Sequence, residues 1–486
     1  MDVEVKGMSI INRDRWSRDF GEWFRDVLDE AEVYDYRYPL KGCGVWRPYG
    51  FAIRKRVIEV MRSILDSLGH EEILLPLLIP EDLFKKEAEH VKGFEKQVFW
   101  VTRGGDTELD VKLALRPTSE TVIGPMLKLW IKAHTDLPKK YYQIVNTFRY
   151  ETEATKPMIR VREITTFKEA HTAHATFEDS ERQVKEAVEA YSRIFDEICI
   201  PYMKNKRPEW DKFAGALYTI AFDTIMPDGR VMQIGTVHNL GQNFSKAFDI
   251  KYLTIDGKQE YVWQTCYGIS ERIIATLIAI HGDDRGMTLP PNIAPIQVII
   301  VPIPYKGFEE AVDKTCKEIL KKLLEDGVRA KYDDRELTPG NKFYYWEKRG
   351  VPIRIEVGPE DLKMNSVTIA RRDTLSRERV KITEISRRVK ELMTEIGESI
   401  RSRAWNWMKQ NIRIATDYSE LKKMAEVGRG AIEVNWCGRI ECAHKIEEDT
   451  DLRVLGEPWN EDTGTKAKCI VCGSMAEKKL RLAKTY

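Results

Sequence analysis

Residues 147–163 read TFRYETEATKPMIRVRE, and the interpretation of the whole chain starts from this stretch. Arg149 stands two positions before Glu151, and a charged loop then leads to a second basic pair, Arg160 and Arg162. A guanidinium group presents a planar fork of donors that matches phosphate oxygens, and it stays charged at every working pH. A carboxylate two residues further along a strand projects to the same side. The pattern therefore predicts a clamp for a nucleotide.

The same letters also fit an exposed hairpin that carries surface ion pairs, because short motifs often match by chance. A P-loop or a dinucleotide-binding fold would be the alternative ways to bind a nucleotide. The sequence contains neither the P-loop pattern GxxxxGK[ST] nor GxGxxG after a predicted strand. The choice between clamp and plain hairpin therefore depends on the other motifs of the chain.

Composition limits the kind of protein. The chain has 486 residues, 42% of them hydrophobic, which is enough for two or three domains with their own cores. Its 78 basic and 77 acidic residues give a net charge of +1, so any contact with nucleic acid must come from local patches. There is no run of eighteen apolar residues, and the N-terminus lacks a signal-peptide core. We therefore expect a soluble, cytoplasmic protein without a membrane segment.

Four of the eight cysteines are grouped near the end of the chain, in the pattern Cys437-x4-Cys442-x26-Cys469-x2-Cys472. In a large cytosolic protein, paired cysteines in one module favour a metal over disulfides. The spacing predicts a tetrahedral, all-cysteine zinc site, with four free thiols as the alternative. Such a zinc ion would be structural, because four thiolates leave no open coordination position.

The first 290 residues contain helix-period and strand-period segments in mixed order. Arg272 lies in the first turn of a predicted helix, where a cation opposes the helix dipole, so this position favours a functional role. Gln233, Thr236 and His238 lie close together on a predicted glycine-punctuated turn. The predicted helices are 16–32, 51–68, 178–199 and 265–281, and the predicted strands include 71–80, 110–116 and 142–150.

A proline-rich segment, residues 289–295, separates this part from a second domain. From there to about residue 392, strands alternate with helices, which predicts a compact α/β domain with a mainly parallel sheet. A helical connector then leads into the cysteine module. The predicted domains are 1–290, 291–392 and 393–486.

Three segments occur in a characteristic order. They are a long helix with a strand that closes on Pro76, the stretch Phe148–Glu151 with its loop, and Ser270–Arg272 before an apolar helix. Together they resemble motifs 1, 2 and 3 of the class II aminoacyl-tRNA synthetases. The resemblance implies an α/β multidomain fold: an antiparallel sheet flanked by helices, an anticodon-binding α/β domain, and a C-terminal zinc-binding α/β module. It also implies a homodimer joined through motif 1.

Four longer segments read RPTSET at 116–121, RVREITTFKEAHTAHAT at 160–176, QIGTVHNLGQNFSKAF at 233–248 and HGDDRGMTLPPNIAP at 281–295. They are similar to the prolyl-tRNA synthetase family, and the similarity covers essentially the whole chain. The archaeal/eukaryotic type is indicated, since motifs 2 and 3 lack a large insertion and a cysteine module ends the chain. Membership implies a ligase that activates L-proline with ATP, forming prolyl-adenylate and pyrophosphate. The prolyl group would then pass to the 3′ end of tRNA(Pro).

The resemblance also implies roles for single residues. Arg149 and Arg272 would be catalytic and hold ATP phosphates, with Arg149 also near the carboxylate of the amino acid. Gln233 would contact ATP and help to hold Mg²⁺. The loop alignment does not choose between Arg160 and Arg162. Further ATP contacts would be Glu151, Arg160, Arg162, Thr236 and Ser270, and proline would contact Thr118, Glu120, Phe167, Glu169, His171 and His238.

Candidates for anticodon contact lie in the second domain, where basic and aromatic side chains could stack on or pair with unstacked RNA bases. In family members of this type, the terminal tyrosine can fold toward the active site, which makes Tyr486 a residue to locate. The anticodon candidates are Arg335, Lys342, Phe343, Trp346 and Arg354.

Two rival interpretations remain. Another class II synthetase, threonyl or histidyl, has a similar motif order, but a threonyl enzyme would need a zinc held by Cys and His near motif 2, which the sequence does not suggest. A non-catalytic RNA-binding relative is the second rival. Retention of Arg149, Glu151 and Arg272 argues against it, because an inactive relative need not keep all three.

Overall fold

The computed structural model describes residues 12–86, 94–461 and 467–486. The expectation about a signal peptide concerns mainly residues 1–11, which lie outside the described residues. Among the described residues, no helix combines the length and the apolar character needed to cross a membrane.

Helices and strands are numbered in chain order. The helices are α1 (Asp14–Arg18), α2 (Phe20–Glu30), α3 (Pro48–Ser67), α4 (Glu81–Phe84), α5 (Glu120–Trp130), α6 (Phe177–Glu197), α7 (Asn243–Phe248), α8 (Arg272–His281), α9 (Glu309–Glu325), α10 (Pro339–Lys348), α11 (Pro359–Lys363), α12 (Ile385–Gln410), α13 (Tyr418–Val427) and α14 (Ile440–Thr450). The strands are β1 (Tyr34–Asp35), β2 (Val45–Trp46), β3 (Glu71–Glu72), β4 (Leu78–Pro80), β5 (Phe99–Gly104), β6 (Thr107–Leu115), β7 (Lys139–Phe148), β8 (Glu163–His174), β9 (Met203–Lys206), β10 (Tyr218–Ile225), β11 (Val231–Gly241), β12 (Lys251–Leu253), β13 (Gln259–Tyr261), β14 (Trp263–Ser270), β15 (Val298–Pro302), β16 (Ala330–Tyr332), β17 (Ile353–Val357), β18 (Ser366–Arg371), β19 (Arg377–Lys381), β20 (Ile412–Ile414), β21 (Ala431–Trp436), β22 (Arg453–Pro458) and β23 (Lys478–Ala483).

An eleven-stranded sheet runs through the molecule in the order β20-β21-β23-β22-β9-β10-β11-β14-β8-β7-β3. Its pairs are antiparallel except at the two ends, where β20 pairs with β21 and β3 with β7 in parallel. The strands of the first domain and the C-terminal module meet where Glu457 and Pro458 of β22 pair with Lys206 and Asn205 of β9. The two parts therefore share one continuous sheet.

Helices α6 and α8 pack on one face of this sheet, and α3 contacts both helices. The buried residues of α6, among them Val184, Ala187, Tyr191 and Ile194, recur at helical spacing. They pack on β11 and β14 in the largest apolar core. Because strand side chains alternate between faces, the opposite face of the same strands is left for polar residues.

The second domain has a five-stranded sheet in the order β16-β15-β17-β18-β19. The pairs of β15 with β16 and β17 are parallel, as expected, but β18 and β19 add two antiparallel pairs that the sequence analysis did not foresee. The boundary predicted at 392/393 falls inside α12, a single helix of 26 residues. This helix belongs to both neighbouring domains.

Three local predictions were wrong. The helix predicted at 265–281 begins only at Arg272, because residues 263–270 form β14 between β11 and β8. The turn predicted around Gln233 is part of β11. The helix predicted at 16–32 is interrupted at Asp19 between α1 and α2. In the first two cases, pairing within a central sheet overrides a local pattern that polar and glycine residues dominate.

A buried ion pair fastens the first domain to the second. Both terminal nitrogens of Arg372 donate to the carboxylate of Asp283, at 2.6 and 2.7 Å, and both side chains are almost fully buried. Arg13 and Arg403 lie nearby and donate to the carbonyl oxygen of His281. Burial alone would raise the pKa of Asp283, but the charge and hydrogen bonds of Arg372 lower it below its usual range.

We expect Asp283→Ala to lower the free energy of unfolding by about 3–5 kcal/mol, because it leaves buried guanidinium groups without their carboxylate. The pair contributes fully above the unfolded pKa of an aspartate, and its contribution is lost as the pH falls through the lowered folded value. Urea titrations at several pH values measure the difference. The control Asp26→Ala removes an exposed pair with Arg15 and should cost about 0–1 kcal/mol. Equal losses in the two variants would contradict the prediction.

Candidate active site

A cavity of about 420 Å³ lies on the open face of the sheet, over β8, β11 and β14. The loop after β7 and the start of α5 form its walls. Of the fourteen residues that the sequence analysis assigned to ATP and proline, twelve line it, and Arg162 and His171 do not. The twelve are Thr118, Glu120, Arg149, Glu151, Arg160, Phe167, Glu169, Gln233, Thr236, His238, Ser270 and Arg272.

Strand register explains how residues distant in sequence meet. Thr236, Gly268, Glu169 and Gln143 lie in one row across β11, β14, β8 and β7. The adjacent row on the same face runs through Thr219, His238, Cys266 and His171. Directly opposed residues in antiparallel strands have Cβ atoms about 4.5–5.5 Å apart. The sheet therefore fixes these side chains independently of any loop.

A β-bulge adds Gln233 to this face. The pairing of β10 with β11 slips between Phe222 and Asp223, so Ile234 is the extra residue. Without the slip, alternation from Thr236 would place Gln233 on the opposite face. The bulge returns its amide to the cavity, where the Oε1 atom accepts a hydrogen bond from Arg207 at 3.0 Å.

Arg149 and Arg272 place two cationic groups at one end of the cavity. Each Nε–H donates to a main-chain carbonyl, that of Pro117 at 3.1 Å and that of Ile159 at 2.8 Å. Within the described part of the chain, neither forms an ion pair with a carboxylate. Burial, followed by the charges of Arg149 and Arg160, lowers the pKa of Arg272 to about 10. Both forks are thus held in place and left available for an anionic ligand.

Arg160 and Arg162, which the sequence left as equal candidates for phosphate contact, have different orientations in the structure. Arg160 lines the cavity and pairs with Glu153. Arg162 turns away, because its Nε–H donates to the carbonyl of Glu151 at 3.1 Å and its guanidinium lies 4.1 Å from the ring centre of Tyr150. Arg160 is therefore the one positioned to meet a ligand.

The other end of the cavity is small and acidic. The carboxylate of Glu120 accepts hydrogen bonds from Thr118 at 2.6 Å and from the thiol of Cys266 at 2.8 Å. Glu169 accepts from the main-chain N–H of Ser119 at 3.1 Å and from Gln143 at 2.8 Å. Burial alone would raise the pKa of Glu169, but the neighbouring His171 and these donors keep it well below its usual range. This end is suited to an amine.

Aromatic rings close the acidic end. Arg149 lies between the rings of Phe94 and Phe167, at 5.3 and 5.4 Å from their centres. The ring of His238 lies 4.6 Å from that of Phe213, and its Nδ1 is 2.8 Å from the hydroxyl of Thr219. Burial lowers the pKa of His238 to about 4, so the ring is neutral at pH 7. A short apolar group with an attached amine fits these walls.

The sequence analysis missed Cys266, Gly268 and Phe213, all of which line the cavity. Cys266 and Gly268 alternate with Ser270 on β14, and assigning residues 263–270 as a strand would have found them. Cys266 lies directly opposite His171, so a Cys and a His do meet near motif 2, contrary to the expectation from the sequence. The absence of such a pair can no longer be used against a threonyl enzyme.

The four grouped cysteines converge in the C-terminal module. The Sγ atoms of Cys437, Cys442, Cys469 and Cys472 lie within 4.8 Å of one another. The Sγ atom of Cys437 is 3.7 Å from those of Cys442 and Cys472. A tetrahedral zinc with bonds of about 2.3 Å requires S–S edges of about 3.8 Å. The donor set and these two distances therefore fit zinc.

Tyr486 lies behind the cavity. Its hydroxyl donates to Asp228 at 2.7 Å, and the ammonium of Lys156 lies 4.6 Å from its ring centre. It lines a neighbouring cavity of about 430 Å³ that shares Gln233 and Arg272 with the first. The end of the chain thus lies against the loop that carries Arg160.

The anticodon candidates divide into two groups. Arg335, Lys342 and Trp346 are all fastened to Asp333, and the last two are buried. Arg354 is also largely buried, stacks on Phe343 at 4.0 Å and pairs with Glu347 and Glu356. Trp346 and Arg354 nevertheless line a cavity of about 210 Å³ with four further arginines. These are Arg285, Arg371, Arg372 and Arg377.

The fold and the site together define a class II aminoacyl-tRNA synthetase. Three family models match in chain order: "tRNA synthetase class II core domain (G, H, P, S and T)" at residues 99–281, "Anticodon binding domain" at 297–392 and "Prolyl-tRNA synthetase, C-terminal" at 418–486. A proline–tRNA ligase of Saccharolobus islandicus is 57% identical and covers 98% of this chain and all of its own. This chain belongs to the prolyl-tRNA synthetase family.

Two further relatives agree with this assignment. A proline–tRNA ligase of Aeropyrum pernix is 55% identical over 98% of this chain and 99% of its own. The structure of Giardia lamblia prolyl-tRNA synthetase in complex with prolyl-adenylate superposes with a TM-score of 0.94, at 35% identity, and covers 98% of this chain and 99% of its own. The predicted family and fold class are confirmed, and the threonyl and histidyl alternatives are set aside.

Proposed function

We propose that this chain joins L-proline to the 3′ end of tRNA(Pro) in two steps, both in the cavity over β8, β11 and β14. The observation that carries the proposal is the pair of buried arginines, Arg149 and Arg272, whose forks face a cavity with an acidic, aromatic-walled far end. Polyphosphate fits the first end and a small amino acid fits the second. The Giardia relative, solved with prolyl-adenylate, supports this arrangement.

In the first step, the carboxylate of proline attacks the α-phosphate of ATP in line, and pyrophosphate leaves. Little proton transfer is needed, so positioning and stabilisation of the spreading negative charge supply most of the rate enhancement. Arg149 also contacts Phe94 and Phe167 of the acidic end and would hold both reacting groups. Arg272 and Arg160 would hold phosphate oxygens. Thr236, Ser270 and Glu151 would position the nucleoside.

Mg²⁺ would reduce the charge on the phosphates. Gln233 fits a partial role in holding it, because its Oε1 atom has two lone pairs and Arg207 occupies one. Oxygen donors are the ligands that Mg²⁺ prefers.

Proline recognition would rest on the acidic end. The secondary ammonium of proline would donate to Glu120, whose position Thr118 fixes. The ring would lie among Phe167, Phe213 and neutral His238. Glu169 and His171 would act from beneath, by holding the carboxylate network in place.

We expect Arg149→Ala to reduce the kcat of proline-dependent ATP–pyrophosphate exchange by about 10²–10³-fold, since one donor to the transition state is removed. The assay, run with each of the twenty amino acids, tests both the reaction and the substrate. Exchange with another amino acid, or none from folded enzyme, would overturn the proposal. The matched control is Arg103→Ala, on the exposed β5–β6 hairpin, which should leave exchange unchanged.

We propose that the cysteine cluster holds one structural Zn²⁺. Arg439 supports this role, because its guanidinium contacts the sulfurs of Cys472 at 2.8 Å and Cys437 at 3.5 Å and would offset the charge of a tetrathiolate. The ion would stabilise the module that extends the catalytic sheet.

One Zn²⁺ per chain is therefore expected by metal analysis. Cys469→Ser should lose it and lower the melting temperature, because binding of a structural zinc is coupled to folding. Cys316→Ser, which changes a buried cysteine in the second domain, should retain the metal. Equal zinc in both variants would contradict the assignment.

We propose that the arginine-lined cavity of the second domain receives an anticodon base. Arginine pairs in bidentate fashion with the O6 and N7 atoms of guanine. Arg377 and Arg285 are about half exposed, so they can contact a ligand without any rearrangement of the core. Trp346 and Arg354 would form the walls.

Arg377→Ala should raise the KM for tRNA(Pro) in aminoacylation and leave proline-dependent exchange unchanged, because exchange needs no tRNA. Lys363→Ala is the control, since its exposed cation lies on α11 of the same domain. An unchanged KM in the Arg377 variant would rule out this contact.

We propose a cytoplasmic homodimer, with the edge near β3 as the interface. Leu74, Leu77, Leu78 and Trp100 expose apolar surface there, and Leu74 is 79% exposed. Sedimentation equilibrium should show a dimer that Leu74→Asp weakens. Leu324→Asp, on exposed α9, should leave the dimer intact. A wild-type monomer would refute the proposal.

A further inference from the structure

A second group of side chains of the types that bind metals lies beside the active-site cavity, which Glu120 and Cys266 line. The ligand atoms of Glu120, His171 and Cys266 lie within 4.8 Å of one another, and all three residues are buried. A carboxylate, an imidazole and a thiol are the three ligand types that zinc takes in proteins. This trio is separate from the cysteine cluster of the C-terminal module.

The trio is fixed by the fold. His171 and Cys266 are directly opposed on β8 and β14, so the sheet sets their separation. Glu120 begins α5 and reaches the thiol with its Oε1 atom at 2.8 Å. The Nε2 atom of His171 is buried and makes no hydrogen bond within 3.5 Å among the described residues; its one charged contact is an oxygen of Glu169 at 3.6 Å. A buried nitrogen held only at this distance would gain free energy from a metal bond.

We propose that Glu120, His171 and Cys266 bind a thiophilic divalent cation such as Zn²⁺, and that this cation excludes proline. The thiol of Cys266 would release its proton to solvent, and the resulting thiolate would bond to the metal. The ligating nitrogen of His171 would likewise release any proton that it carries. Three protein ligands leave the fourth tetrahedral position open toward the cavity. The hard cations Mg²⁺ and Ca²⁺, which prefer oxygen, should not compete.

Exclusion of proline follows from the shared ligand. Glu120 is the carboxylate that would receive the ammonium of proline, and a divalent cation bound to it would neutralise its charge and repel the ammonium. This part of the inference rests on the proposed function. The binding of the cation does not, because it depends only on the three side chains.

Cobalt(II) is the probe, added to full-length enzyme that already carries its C-terminal Zn²⁺. We expect one additional Co²⁺ per chain and a sulfur-to-cobalt charge-transfer band. Cys266→Ser should lose the band, and His171→Gln should weaken it at least tenfold in affinity. Cys316→Ser, with its cysteine in the second domain, should behave as wild type. Folding of each variant is checked by retention of the C-terminal Zn²⁺ and by circular dichroism.

Proline provides the second arm. Added L-proline should displace Co²⁺ from the wild type, and Zn²⁺ should raise the KM for proline in exchange while kcat stays constant. A band that persists in folded Cys266→Ser would overturn the site. A Cys266-dependent band that proline cannot displace would overturn the exclusion of proline. If no amino acid supports exchange but the Cys266-dependent band appears, the metal site stands and the proposed function fails.

Discussion

The active site depends on burying two positive charges that have no carboxylate partner among the described residues. Arg149 and Arg272 are held by main-chain carbonyls rather than by acids. An acid in their place would lower the cost of burial but would also occupy the donors that a phosphate needs. Burial of the apolar core beneath the sheet offsets the free-energy cost of these two buried charges. The free enzyme is therefore an incomplete electrostatic structure, which its anionic substrate completes.

The alternation of side chains along the strands decides which residues face the cavity. On β8, Phe167 and Glu169 face the cavity and His171 lies on the same side of the strand, while the intervening Lys168 faces α6 and donates to the hydroxyl of Tyr191 at 2.9 Å. Rows of directly opposed residues then combine positions that lie more than a hundred residues apart, such as Gln143 and Gly268. Catalytic groups on strands are positioned more accurately than groups on loops. At the phosphate end, Arg160 relies on the loop between β7 and β8.

Local sequence patterns together with the family resemblance indicated most of the residues that line this cavity. Motif order and the Arg149–Glu151 spacing located the nucleotide end, and the cysteine spacing located the second cluster. Residues 265–270 were misassigned because glycine and polar residues hid their alternation, and Cys266 was lost with them. The bulge at Ile234 leaves no signal in one sequence, since it depends on the partner strand. Burial of Lys342 and Trp346 around Asp333 likewise follows from tertiary packing alone.

The continuity of the sheet across β22 and β9 has a consequence for how the protein can be divided. A chain that ended before β20 would leave β9 as an outer strand, with its N–H and C=O groups open to pairing with other molecules. The C-terminal module is thus a protective cover against aggregation as much as a domain. Recombination could not exchange this module freely. Its removal would turn an interior strand of the catalytic sheet into an exposed edge strand that is prone to aggregation.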